Sequence, residues 1–234
     1  MQWESQLEKI KAGDRKALAR LISVIENEQE GYIALLEKLP MGTKPVFGIT
    51  GPPGAGKSTL LHILGTLDTA DAGSISINNT AVHALSKNEM ADFRNQSIGF
   101  VFQFHHLLPE FNALENICLP QWIAKKDKAQ AERYALELLD YMNLTDKAHK
   151  KPNELSGGEQ QRIAIARALI NKPAIVFADE PTGNLDTHNA QSIHELFSKL
   201  RTELQQTFVI VTHNEHLAKS TDRVIKMQDG LIIA

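Results

Sequence analysis

The eight residues Gly51-Pro-Pro-Gly-Ala-Gly-Lys-Ser58 set glycines, a lysine and a hydroxyl at the G-x-x-x-x-G-K-[ST] spacing. Each part answers a need of phosphate chemistry. The glycines let the backbone turn so that its N–H groups converge on a β-phosphate. A helix opening behind them adds the positive end of its dipole. Lys57 can bridge β- and γ-phosphate oxygens, and Ser58 can ligate Mg²⁺. The expected nucleotide-binding set is Gly51, Pro52, Pro53, Gly54, Ala55, Gly56, Lys57, Ser58 and Thr59. A second cluster is Ala174-Ile-Val-Phe-Ala-Asp179-Glu180, an apolar run that delivers two acids where a strand would end. Asp179 is expected to hold Mg²⁺ through its water shell, and Glu180 to polarise an attacking water as general base. A third is Leu155-Ser156-Gly157-Gly158-Glu159 at a helix start. Its bare glycines suit a phosphate, and Ser156 equally suits a plain N-cap. The cofactors expected are ATP and Mg²⁺.

These residues need elements to carry them. Val46–Thr50 reads as the strand before the loop and Leu60–Leu64 as the helix after it. Ser74–Asn78 and Ile98–Phe102 read as strands. Ala129–Met142 and Gly158–Ile170 have helical spacing. Ala174–Ala178 is a buried strand, Ala190–Leu204 a helix, and Phe208–Thr212 another buried strand. Alternation of strands and helices predicts an α/β fold with a mainly parallel sheet covered on both faces. Residues 1–40 read differently, as helices with apolar stripes at Trp3, Leu7 and Ile10, then Leu18, Leu21, Ile22 and Ile25, then Tyr32, Leu35, Leu36 and Leu39.

The bulk composition excludes several classes. A net charge of −3 over 234 residues gives no basic field, so no nucleic-acid partner is expected. The single cysteine, Cys118, excludes an internal disulfide and fits a reducing compartment. The amphipathic start is not a secretory signal. No apolar run approaches the ~18–20 residues of a membrane span, so any membrane role is expected to be peripheral.

The string Leu155-Ser-Gly-Gly-Glu-Gln-Gln-Arg162, upstream of the Asp179-Glu180 strand, resembles the signature of ABC transporter ATPases. Gln103 matches that family's Q-loop, Asn184-Leu-Asp186 its D-loop, and His213 its switch histidine. The resemblance spans about residues 54–234 and implies a P-loop ABC fold with a helical, signature-bearing subdomain at about 104–160. It implies that Glu180, His213 and Gln103 are catalytic, and that Ser58, Gln103 and Asp179 serve the metal. It also implies a head-to-tail homodimer in which Leu155, Ser156, Gly157, Gly158 and Glu159 of one copy close on the ATP of the other, with Asp186 communicating across the dimer. The stretch Gly99–Asn116, with Arg94-Asn-Gln96 and Pro181–Asp186, resembles the lipoprotein-release (LolD/MacB-like) group. That implies ATP hydrolysis powering lipoprotein release, two integral membrane permease subunits docking near Gln103–Pro120, and a peripheral place on the cytoplasmic face of a bacterial inner membrane. His105, His106, Leu107 and Leu108 suit either such docking or a packed loop.

Residues 1–60 instead resemble MeaB/ArgK-type P-loop GTPases, through Ala12–Ile22, Glu26-Asn27-Glu28 and Gly48–Thr59. The expectation is a mosaic: a helical segment at 1–42 replaces the usual ABC N-terminal strands and precedes an ABC ATPase domain at 43–234. Ser74–Asn78 and Ile98–Phe102 would then lack pairing partners and leave an open edge. With no evident aromatic residue to stack on adenine, ATP binding is expected to be weakened and poorly selective for the base. The rival reading is a GTP-dependent metallochaperone, or a mosaic that binds nucleotide with impaired transport. Against GTP, the Asn-Lys-Pro at Asn171 lacks the Asp of an N-K-x-D guanine reader.

Overall fold

Strand β1 (Val46–Thr50) lies between two parallel partners, and its register explains the rest of the sheet. The protein is described from a computed structural model, which covers residues 45–214, 217–218 and 221–233. The helices expected over residues 1–40 lie outside these residues.

Among the described residues the main sheet has six strands in the order β4-β5-β6-β1-β7-β8. Besides β1 they are β4 (Ile98–Val101), β5 (Ile175–Asp179), β6 (Phe208–Val211), β7 (Arg223–Gln228) and β8 (Leu231–Ile232). All neighbours from β4 to β7 pair in parallel, and β8 turns back antiparallel on β7. A small hairpin, β2 (Ser76–Ile77) with β3 (Thr80–Ala81), stands apart. The expected lack of pairing partners is therefore corrected. Ile98–Val101 pairs with β5, and Ser76–Ile77 pairs with its own hairpin neighbour. The apolar run of β5 finds β4 on one side and β6 on the other, and β4 is the edge strand of the sheet among the described residues.

The central strands are continuous apolar runs because both faces of the sheet are covered. Side chains alternate between two cores. Val176, Ala178, Phe208 and Ile210 face one core, while Phe177, Val209, Val211 and Ile49 face the other. On the second face lies α1 (Lys57–Leu64), which buries Leu61. On the first lie α5 (Gly157–Leu169) and α6 (Thr187–Glu203). Helix α5 inserts Ile163, Ile165, Ala166 and Leu169 into the core, and α6 adds Ile193, Leu196, Phe197 and Leu200.

Helices α2 (Lys87–Ser97), α3 (Ala113–Ile123) and α4 (Lys128–Tyr141) lie between α1 and α5 in the chain. The sequence reading placed nothing at α2 or α3. Both begin with a reciprocal capping box, Ser86 with Glu89 and Asn112 with Glu115, a signal readable in the sequence. Pro120 obscures α3, since an interior proline normally ends a helix. Here α3 is held in place by packing against α4 and α5: Ile117 and Cys118 meet Ala135, Leu138 and Leu139 of α4 and Ile165 of α5 in one cluster.

Candidate functional site

The turn after β1 is shaped by one close approach and one left-handed backbone conformation. Gly51 lies against β7, where an added Cβ would sit 2.0 Å from the Met227 carbonyl oxygen. Gly56 has φ +83°, a left-handed conformation that favours glycine. No side chain caps the start of α1 at Gly56, so the first N–H groups of that helix face the loop as an anion site. Lys57 is buried at 7% exposure and folds back on its own loop. Its Nζ donates to the carbonyls of Gly51 at 2.8 Å and Pro52 at 2.9 Å. A lysine parked on carbonyls can transfer its three donors to phosphate oxygens without leaving the loop.

Helix α1 and strand β5 bring the first two sequence clusters together. The Ser58 hydroxyl donates to Asp179 Oδ1 at 3.0 Å. Burial pushes the Asp179 carboxyl above the usual carboxylate range, against the opposing Ser58 hydrogen bond. A hydroxyl and a desolvated carboxylate, both hard oxygen donors, are the set that suits Mg²⁺, and a cation there would favour the ionised carboxylate.

Glu180, the next residue, has φ +46°, a conformation uncommon outside glycine. Its backbone N–H donates to Val211 and its carbonyl accepts from Gly183, which fix that turn. Its Oε2 accepts from the His213 backbone N–H at 3.2 Å and lies 2.9 Å from His213 Nδ1. A cavity of about 340 Å³ opens beside this pair, with Thr182, Gln191, His194 and Thr212 in its walls. It is roomy and polar enough to hold water next to the carboxylate.

The remaining sequence-derived residues sit in two further groups. Gln103 follows β4, and its Nε2 donates to Asn184 Oδ1 at 2.9 Å; Asn184 Nδ2 returns a bond to the Gln103 carbonyl at 3.3 Å. Gln103 is thus joined to the segment after Glu180 and makes no hydrogen bond to Ser58 or Asp179 among the described residues. Asp186 caps α6 and accepts from the Asn189 backbone N–H at 2.9 Å and from its Nδ2 at 2.6 Å. The Asn189 N–H holds its carboxyl below the usual range.

At the start of α5, Ser156 and Glu159 form a capping box, as a plain cap requires. Gly158 meets a second constraint, since a Cβ there would lie 2.4 Å from Asn189 Oδ1. No hydrogen bond or ion pair among the described residues joins Ser156–Glu159 to residues 51–58. Within one chain the two phosphate-suited turns are separate.

Sequence reasoning missed Asn116, a buried residue. Its amide donates to the carbonyls of Leu108, Phe111 and Asn112 and accepts from the Leu108 N–H. Arg167 donates to the carbonyls of His105 and His106. Together they pin the loop after Gln103, leaving Phe104 and Leu108 exposed.

The family model described as ABC transporter matches residues 37–183. The chain belongs to the ABC transporter family. It is 58% identical over 187 residues to the lipoprotein-releasing system ATP-binding protein LolD of Bacteroides thetaiotaomicron, covering 80% of this chain and 86% of that one. It is 53% identical over 189 residues to the LolD of Porphyromonas gingivalis, with 81% and 86% covered. Among solved structures it resembles the ATP-binding cassette MJ0796, seen as a dimer in a post-hydrolysis state bound to ADP and Pi. The TM-score is 0.74 at 41% identity, covering 84% of this chain and 86% of that one. Another dimeric MJ0796 structure gives 0.75 at 40%. The fold is that of an ABC ATPase cassette, with α/β architecture and a mainly parallel sheet.

The GTPase-like resemblance of residues 1–60 finds no support. The ABC match begins at residue 37 and takes in residues 37–60. Phosphate-binding loops of both families answer the same chemistry, so the text at Gly54–Leu60 does not discriminate between them.

Proposed function

We propose that the chain is the ATP-binding and hydrolysing subunit of an ABC transporter that powers lipoprotein release from the inner membrane. Its partners are a second copy of itself and two integral membrane permease subunits, and its place is peripheral, on the cytoplasmic face. Residues 43–234 are read as the ATPase domain, with a helical subdomain at about 104–160, preceded by an N-terminal segment at residues 1–42. One observation carries the reading: the loop's Ser58 meets Asp179, and the adjacent Glu180 is held by His213 beside a polar cavity with room for water.

The residues divide the chemistry. Backbone N–H groups of Gly54–Thr59 receive the phosphates, and Lys57 moves from its own carbonyls to the β- and γ-phosphate oxygens. Ser58 and Asp179 would hold Mg²⁺, whose chemistry there would be to offset negative charge on the phosphate oxygens. Glu180 orients the attacking water and accepts its proton. His213 exchanges its contact with Glu180 for the γ-phosphate, so the base is freed when substrate is present. Gln103 contributes a ligand from the loop after β4.

The separation of the two phosphate-suited turns within one chain supports a composite site. Residues Leu155–Glu159 of one copy close on the nucleotide of the other, and ATP stabilises the dimer by binding it better than the monomer. Phe104 and Leu108, exposed on a pinned loop, suit docking to the permease subunits.

Glu180→Gln tests this reading. The variant removes the base and keeps the hydrogen-bonding shape, so ATP should accumulate on it and the protein should elute as a dimer in size-exclusion chromatography with ATP and as a monomer without. A variant that stays monomeric with undiminished turnover would reject both the base and the paired site.

A further inference from the structure

Asp179 has two carboxylate oxygens, and the site as read above uses only one. Oδ1 accepts from Ser58 at 3.0 Å. Oδ2 faces His62 of α1, whose Nε2 lies 3.7 Å away. That nitrogen is buried and has no hydrogen-bond partner among the described residues. At 3.7 Å the pair stands beyond hydrogen-bond reach, and a shift of about 0.7 Å closes it. His62 lies four residues after Ser58 on α1, so both side chains project from one helix face toward β5. A buried ring nitrogen without a partner, aimed at the free oxygen of a buried carboxylate, needs an explanation.

We propose, on the reading of Ser58 and Asp179 as the Mg²⁺ pair, that His62 is a positioning residue for Asp179. In the tautomer that carries the proton on Nε2, it donates to Oδ2 when the site is filled. The carboxylate then presents Oδ1 to the Mg²⁺ water shell in a fixed orientation. Without the donor, Asp179 can rotate about its Cβ–Cγ bond, and Ser58 alone must hold it. Outer-shell hydrogen bonds to ligating carboxylates act in this way, and removing one costs about 10–100-fold in metal affinity.

The test is a Mg²⁺ titration at fixed concentration of a non-hydrolysable ATP analogue, read by nucleotide fluorescence and requiring no turnover. Nucleotide affinity in EDTA and the melting temperature of the free protein are measured alongside. His62→Ala removes the donor at a partly exposed helix position, where alanine is well tolerated. Its Mg²⁺ midpoint should rise about tenfold, with affinity in EDTA unchanged. His62→Gln, whose amide nitrogen reaches about as far as Nε2, should restore the midpoint to within about threefold and keeps the proposal testable if the alanine variant does not fold.

An alanine variant with the wild-type midpoint would overturn the proposal. So would an equal loss with and without Mg²⁺, or a glutamine variant as impaired as alanine, since each describes a packing role. A wild-type protein whose nucleotide binding ignores Mg²⁺ would overturn the Mg²⁺ reading of Ser58 and Asp179 as well, and so separates the two failures.

Discussion

Gly158→Ala should destabilise the protein although it places the best helix former near the start of a helix. Gly158 is buried at the second residue of α5. Its missing Cβ leaves room for Asn189 of α6. An alanine Cβ would meet Asn189 Oδ1 at 2.4 Å, Cγ at 2.8 Å and Cβ at 3.3 Å. The Asn189 side chain cannot turn away freely, because its Nδ2 donates to Asp186. Overpacking of this kind costs about 1–3 kcal/mol. The helix preference of alanine over glycine returns up to about 1 kcal/mol. A net loss of about 1 kcal/mol is expected, read as a lower urea midpoint at unchanged slope. The deciding measurement is a double-mutant cycle with Asn189→Ala. Removing Asn189 removes the clash and leaves alanine's helix preference, so the pair should be more stable than the sum of its parts by about 1–2 kcal/mol. Additivity to within about 0.5 kcal/mol, or a Gly158→Ala variant that is simply more stable, would refute the close contact as the reason for glycine here.

Asp179→Asn should stabilise the free protein while weakening Mg²⁺-dependent ATP binding. Burial raises the Asp179 carboxyl above its ordinary value of 3.8, so the folded state favours the protonated form, and Asp179's stabilising contribution is lost as pH rises through the raised value. The gain from asparagine should be absent near pH 3 and present at pH 7, where the melting temperature rises by about 2–4 °C; equal gains at both pH values would contradict the linkage. Asn116→Ala leaves the Leu108 N–H without its acceptor and removes one donor from each of three carbonyls, of which those of Leu108 and Asn112 keep a backbone N–H, and should cost about 1–3 kcal/mol. Hydrogen exchange of the Leu108 amide should accelerate at least about tenfold, and an unchanged rate would mean that Asn116 does not pin the loop.

The phosphate loop, the Asp179-Glu180 strand end and the helix start at Ser156 were legible because each is a local spacing with its own backbone requirement. Strands β1, β4, β5 and β6 were legible as apolar runs, and α4, α5 and α6 as helical stripes displaced by one to three residues. Helix α3 was not, because Pro120 outweighed the capping box at Asn112. Strand β7 was missed because Arg223, Lys226 and Gln228 break its apolar run; its pairing with β1 and β8 marks it as sheet. The expected lack of partners for Ser74–Asn78 and Ile98–Phe102 failed for a related reason. Strand pairing joins residues far apart in sequence, and the spacing around Ile98 carries no sign of Ile175. Within the site, the side-chain pairs were hidden in the same way. Gln103 and Asn184 are 81 residues apart, and nothing in either local string names the other.

These hidden pairs converge on one short segment. Asp179 ends β5 against Ser58, and Glu180 follows against His213. Asn184 then bonds Gln103, and Asp186 caps α6 through Asn189, which packs over Gly158. Ser58, His213, Gln103 and Gly158 therefore each lie directly against residues 179–189. A helix cap, a pair of amide bonds and a missing Cβ allow little independent motion, because each contact fails with a displacement of about 1 Å. A shift of Gln103 driven from the loop that carries Phe104 and Leu108 must then either break its bonds to Asn184 or move the turn after Glu180. The segment that positions Glu180 thus also meets the start of α5, which, on the function proposed above, would tie hydrolysis geometry to the surface that a second copy would cover.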